Sequence, residues 1–151
     1  MKEFKDINDI LDFAIGEEQA AIEFYMVLAE KSKNPEIKKI FHEFAEEEMK
    51  HKANLIRVKD QGSFGVTAGN VTDLKIADYL VDVKAAPDLP YQEALILAMK
   101  KEKSAFKLYS ALAYRATDPE IKNLFLALAQ EESKHKLRFE IEYDEYILRE
   151  N

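Results

Sequence analysis

Residues 34–52 read NPEIKKIFHEFAEEEMKHK, and residues 118–136 read DPEIKNLFLALAQEESKHK. Each stretch opens on an Asx residue followed by proline and glutamate. Asn34 and Asp118 are N-cap residues, whose side-chain oxygen accepts an otherwise unpaired backbone N–H. Pro35 and Pro119 suit the first helical position, where a missing N–H costs nothing, and Glu36 and Glu120 set a negative charge against the positive end of the helix dipole. Each stretch therefore starts a helix. Apolar residues then recur three and four apart, as Ile37, Phe41, Phe44 and Ala45 and as Ile121, Phe125, Leu128 and Ala129. Both helices carry a Glu-x-x-His, Glu48 to His51 and Glu132 to His135.

Outward from these two starts, Gly62, Gly65 and Gly69 cluster in one place and Pro87 and Pro90 follow it. Four long segments remain unbroken, 6–33, 35–60, 90–117 and 119–149, each with helical apolar spacing. The links at Asn34 and Asp118 are too short for anything but antiparallel neighbours, so two helical hairpins are predicted, 6–60 and 90–149. The crossover 61–89 is long enough to travel the length of a bundle, and a short helix is predicted within it over Leu74–Val81. The second and third helices then run parallel. The expected fold is all-α, a single domain over 1–151 formed as an up-down-down-up four-helix bundle.

The hairpins are copies of one another. At a constant offset of 84, 17 of the 39 positions from Ala14 to Lys52 are identical to their counterparts, with no gap; chance gives about two or three. Glu18 pairs with Glu102, Ala21 with Ala105, Tyr25 with Tyr109, Phe41 with Phe125, Glu48 with Glu132 and His51 with His135. Such halves pack about a pseudo-twofold axis, and equivalent residues meet near it.

Composition narrows the chemistry. The 151 residues carry a formal charge of -7, which opposes binding to nucleic acid or to anionic lipid. The absence of cysteine excludes thiol catalysis, disulfides and cysteine-held metal from this chain. The first 12 residues have neither a signal peptide's apolar core nor a membrane span, and a cytoplasmic location is expected. Any metal site must be built from His, Asp and Glu.

Glu48 and His51 lie about 60° apart on one helix face, as do Glu132 and His135. That face is otherwise apolar. Glu18 and Glu102 interrupt the core stripes of their own helices in the same way. Glu18 precedes Asn34 by 16 residues while Glu48 and His51 follow it by 14 and 17, so an antiparallel pair sets all three at one depth; the arithmetic repeats about Asp118 for Glu102, Glu132 and His135. Glu17 adjoins Glu18, but the spacing of seven to Tyr25, repeated between Glu102 and Tyr109, selects Glu18, and Glu17 is expected in solvent. Glu43, Glu46, Glu47 and Glu131 read as an exposed acidic face or a path that attracts iron, and His42 as structural or surface. Four buried carboxylates cost several kcal/mol each if left unpaired, whereas two divalent cations neutralise them. A Glu from each of two helices with Glu-x-x-His from each of the other two is the ligand pattern of di-iron and di-manganese carboxylate bundles; such donors favour Fe or Mn and also accept Zn. The phenols of Tyr25 and Tyr109 lie two turns from Glu18 and Glu102, within reach of ligand carboxylates across the bundle.

On Glu18 with Tyr25, Glu48-Met49-Lys50-His51, Glu102 with Tyr109 and Glu132-Ser133-Lys134-His135, the chain resembles the ferritin-like superfamily, and most closely the di-iron domain of rubrerythrins, from about Ile7 to Tyr146. The resemblance implies two Fe ions per chain, with Glu48 and Glu132 bridging, Glu18 and Glu102 terminal, and His51 and His135 on one metal each. It implies Fe(II) oxidation with reduction of peroxide or dioxygen, in oxidative-stress defence. Ferritin-like or bacterioferritin-like iron storage, and a bundle holding a redox-silent metal, are the alternatives. Two departures stand out. The four-cysteine rubredoxin-like iron site of rubrerythrins cannot form here, so an external donor protein such as rubredoxin is expected. Ala105 and Phe106 occupy the turn where rubrerythrins tend to carry a further Glu, which brings the six-ligand set closer to bacterioferritin. A homodimer is expected.

Overall fold

The computed structural model describes residues 7–61 and 89–150. They form four helices: α1 (Ile7–Lys31), α2 (Pro35–Gln61), α3 (Tyr91–Arg115) and α4 (Pro119–Glu150). Both expected caps are made. Asn34 Oδ1 accepts the backbone N–H of Glu36 at 2.9 Å, and Asp118 Oδ1 accepts those of Glu120 at 2.8 Å and Ile121 at 3.4 Å. The caps begin α2 and α4 on their prolines, with Lys38 N–H to Asn34 O and Lys122 N–H to Asp118 O as the first turns.

Several boundaries differ from the sequence reading: α1 ends at Lys31 rather than 33, α3 at Arg115 rather than 117, and α4 at Glu150 rather than 149. Pro90 is the N-cap of α3 rather than its first residue: its φ of −58° and ψ of 145° are extended, and its carbonyl accepts the Ala94 N–H. Gln61, assigned to the crossover, still belongs to α2. The short helix expected over Leu74–Val81 lies outside the described residues.

The core reports the topology. One apolar cluster joins Ile10, Leu11 and Ala14 at the start of α1 to Leu55 and Val58 late in α2, Leu112 late in α3 and Phe125 early in α4. The other joins Phe24, Tyr25 and Leu28 late in α1 to Ile37 and Phe41 early in α2, Leu95 and Ala98 early in α3 and Phe139 in α4. The beginnings of α2 and α3 therefore share one end of the bundle, so these helices run parallel and the order is up-down-down-up. Burying such side chains contributes about 1.5–3 kcal/mol each. Between the two apolar clusters lies a layer that is polar and equally buried. Among the described residues no helix is long and apolar enough to cross a membrane.

Candidate metal centre

The polar layer consists of the six residues singled out by the duplication. Glu18, Glu48, His51, Glu102, Glu132 and His135 are each at most 3% exposed. They form two quartets. Glu18, Glu48, His51 and Glu132 bring one donor atom each within 4.8 Å of one another, and so do Glu48, Glu102, Glu132 and His135. Glu48 and Glu132 belong to both. Each quartet draws on both hairpins, because α1 and α2 supply Glu18, Glu48 and His51 while α4 supplies Glu132, and the second quartet reverses the debt.

The two imidazoles face each other across the axis with ring centroids 6.5 Å apart and planes 16° from parallel. His51 Nδ1 lies 3.0 Å from Glu132 Oε1, 3.6 Å from Glu48 Oε2 and 3.7 Å from Glu18 Oε2. His135 Nδ1 lies 3.0 Å from Glu48 Oε1 and 3.7 Å from Glu102 Oε1. These close approaches are not aligned hydrogen bonds: both Nδ1 atoms, both oxygens of Glu48 and of Glu102, Glu18 Oε2 and Glu132 Oε1 are buried without a hydrogen-bond partner. So many converging, unsatisfied donor atoms are unusual in a folded core, where buried polar groups are almost always paired. Hard carboxylate oxygens with one imidazole per quartet suit two divalent first-row metals, whose four positive charges match four carboxylates.

Without metal, protons carry that balance. Burial and repulsion from Glu132 lift the Glu18, Glu48 and Glu102 carboxyls above the ordinary range. Glu132 moves the other way: burial disfavours its charge, but the contacts with His51 and Glu102 and the charge of His135 outweigh it. Burial also opposes protonation of His51 and His135, yet the surrounding carboxylates raise both.

The outer side of each imidazole is held as well. His51 Nε2 hydrogen-bonds Glu131, and His135 Nε2 hydrogen-bonds Glu47. Each bond crosses from one hairpin to the other and turns Nδ1 towards the layer. Glu47 and Glu131, read from sequence as a solvated face or an iron path, are thus the anchors of the two histidines. Their side chains are still 45% and 46% exposed, which is why charge alone suggested solvent. The available signal was their identity in the repeat, one residue before each shared glutamate. The tyrosines break the symmetry. Tyr109 donates its hydroxyl to Glu18 Oε1, while the Tyr25 hydroxyl is buried with no partner. Tyr25 sits among Phe24, Phe44, Phe139 and the His135 ring, whereas Tyr109 stacks on Phe125. Glu17, expected in solvent, is paired with Lys101 at 3.1 Å.

The chain matches the Rubrerythrin family over residues 9–83 and 93–151, nearly its whole length. It belongs to the rubrerythrin family. Its backbone is similar to that of a Thermotoga maritima protein described as a ferritin-like diiron-carboxylate protein, with a TM-score of 0.80 and 25% identity over 97% of this chain and 99% of that one. A hypothetical protein of Pyrococcus furiosus gives a TM-score of 0.72 and 29% identity over 89% of this chain and 86% of that one. The ferritin-like fold also recurs in a two-domain Anabaena variabilis protein that couples it to a DJ-1/ThiJ/PfpI-like domain, at a TM-score of 0.65 and 18% identity, covering 92% of this chain and 40% of that one. No functionally curated protein matches the chain. As a rubrerythrin-family bundle with a buried glutamate and histidine cluster, the protein suits the di-iron class.

Proposed function

We propose that the protein binds two iron ions per chain and uses them to oxidise Fe(II) and reduce hydrogen peroxide or dioxygen, in oxidative-stress defence or iron handling. The observation that carries this reading is the sharing of Glu48 and Glu132 between two otherwise separate donor quartets. Carboxylates shared in this way would hold both ions in one site, and the ions would supply redox chemistry to a small molecule there. In this assignment Glu48 and Glu132 would serve both ions, Glu18 with His51 and Glu102 with His135 would complete the two positions, and Mn or Zn are the competing occupants. The bound pair supplies redox equivalents; the chain supplies position and a dry setting. Glu47 and Glu131 fix the imidazole rings from outside, and Tyr109 restrains Glu18. The apolar clusters on either side exclude bulk water.

The test begins with Fe(II) titration under anaerobic conditions, where two ions per chain are expected and a saturating value of one or zero overturns the assignment. Rapid mixing of the loaded protein with peroxide or dioxygen should give one fast oxidation per centre. Sustained peroxide consumption should require a reductant protein such as rubredoxin with its reductase, because a chain without cysteine holds no iron-sulfur relay. Fast oxidation with no donor-supported turnover would favour storage instead.

A further inference from the structure

On the α1 and α3 side of the clustered carboxylates lies a cavity of about 20 Å³, enough for one water or for the inner end of a small ligand of a few heavy atoms. Its inner wall includes the carboxylates of Glu18, Glu48, Glu102 and Glu132, and Ala21 and Ala105 also line it. These alanines occupy matched positions of the repeat, one turn beyond Glu18 and Glu102, and their small side chains leave the room. Exposure rises outward from the ligands, at most 3%, through the side chain of Lys101 at 8% to that of Glu17 at 30%. Lys101 Nζ meets Glu17 Oε2 at 3.1 Å, and the pair lies on the outer side of the cavity beside the half-buried Phe13, Ser104 and Ala105.

Glu17 and Lys101 are the same position of the two hairpins, 84 apart, and they meet across the pseudo-twofold axis with opposite charges. Among the described residues lining the cavity, Lys101 is the single cation. A partly buried ion pair contributes little net stability, since desolvation offsets attraction. Its place over four carboxylates has a different consequence: its bulk limits the size of what passes, and its ammonium offsets their repulsion of an anion.

We propose that this cavity seats small ligands of the metal centre and that the Glu17–Lys101 pair is its gate. The bulk of Lys101 admits molecules of a few heavy atoms, and its charge favours small anions. That the natural ligand is peroxide or dioxygen rests on the function proposed above; the gate itself does not.

The test uses the full chain loaded with redox-silent Co(II), probed by visible spectroscopy with azide, a small anion, and imidazole, a bulkier neutral ligand. Wild type should bind azide and exclude imidazole. Lys101→Ala should bind imidazole at least about 10-fold more tightly than wild type, while Lys101→Met, which keeps bulk and loses charge, should still exclude imidazole and bind azide about 10-fold more weakly. Glu17→Gln keeps Lys101 but loosens the pair, and should raise the azide association rate; it serves if Lys101→Ala fails to load two metals. Imidazole binding unchanged in Lys101→Ala, azide affinity unchanged in Lys101→Met, an unchanged azide rate in Glu17→Gln, or no azide spectrum in wild type would overturn the gate. An iron-loaded protein inert to both oxidants would defeat the functional reading and leave the cobalt result standing.

Discussion

At the scale of single residues, the six clustered side chains and their supports carry separable duties. Glu132 belongs to both quartets, so Glu132→Ala should abolish the two-metal state, and metal analysis after anaerobic loading should find no more than one ion per chain. Glu131 belongs to neither quartet but holds His51 from outside. Removing such a support typically costs about 10–100-fold in metal affinity. Glu131→Ala should therefore weaken one ion of the pair by that factor and leave the other less affected, a split that competition titration with a metal chelator resolves. The same substitution at Glu47 should weaken the other ion, the one served by His135. No weakening of either ion would show that the histidines are held by packing alone, and equal weakening of both would show that each carboxylate does not act through its own histidine.

At the scale of elements, the hairpin turns do more than connect. Asn34 and Asp118 begin α2 and α4, and the registers that bring Glu48, His51, Glu132 and His135 level with Glu18 and Glu102 are counted from them. Asp118→Ala removes the cap hydrogen bonds to Glu120 and Ile121 and should cost about 1 kcal/mol. For a domain of this size that is a fall in Tm of about 2–4 °C, measurable by circular dichroism. Metal stoichiometry should be unchanged, because tertiary packing of α4 keeps the register once the helix has formed. On its outer side α4 exposes Leu126, Leu137, Ile141 and Leu148, which fall within about 60° of one another around the helix. A stripe of that kind fits the expected homodimer. Native mass should be twice that of the chain, and Leu137→Asp with Ile141→Asp should return it to a monomer without loss of bound metal.

For the whole molecule, metal and proton compete for one buried charge balance. In the metal-free protein the Glu18, Glu48 and Glu102 carboxyls titrate above their ordinary value of 4.5, and His51 and His135 above 6.5. The folded state thus holds these protons more tightly than the unfolded chain. Their contribution to stability is complete below the unfolded values and is lost as pH rises through the folded ones. Glu132, which titrates below 4.5, has the opposite sign, and its contribution is lost only as pH falls below that value. Melting of the metal-free protein should therefore decline as pH rises from about 5 to 8, whereas the loaded protein, in which metal replaces the protons, should be nearly level. The gap between the two melting temperatures should widen with pH. A metal-free protein that grew more stable across that range would contradict the buried, protonated cluster.

Most of this molecule was legible in one dimension because its signals are periodic and local. Asx-Pro-Glu starts fix two helix beginnings through backbone chemistry within a few residues; constant helical rise turns distances from Asn34 and Asp118 into depths; and an ungapped offset of 84 implies the axis that brings the six glutamate and histidine side chains together. None of this needs knowledge of which side chains touch. Only the tertiary structure decided the contacts between hairpins, which depend on small rotations of one helix against another and on which rotamer fills each gap. Glu47 and Glu131 looked solvated because their charge and partial exposure are those of surface residues, and only packing aims them at the opposite hairpin's histidine. Tyr25 and Tyr109 hold matched places in the repeat, yet Phe44 and Phe139 stand where the other half has Leu128 and Leu55, and just one phenol reaches a carboxylate. Lys101 and Glu17 carry opposite charge at equivalent positions, and the fold alone pairs them beside the cavity, because the axis that relates two positions also brings them together.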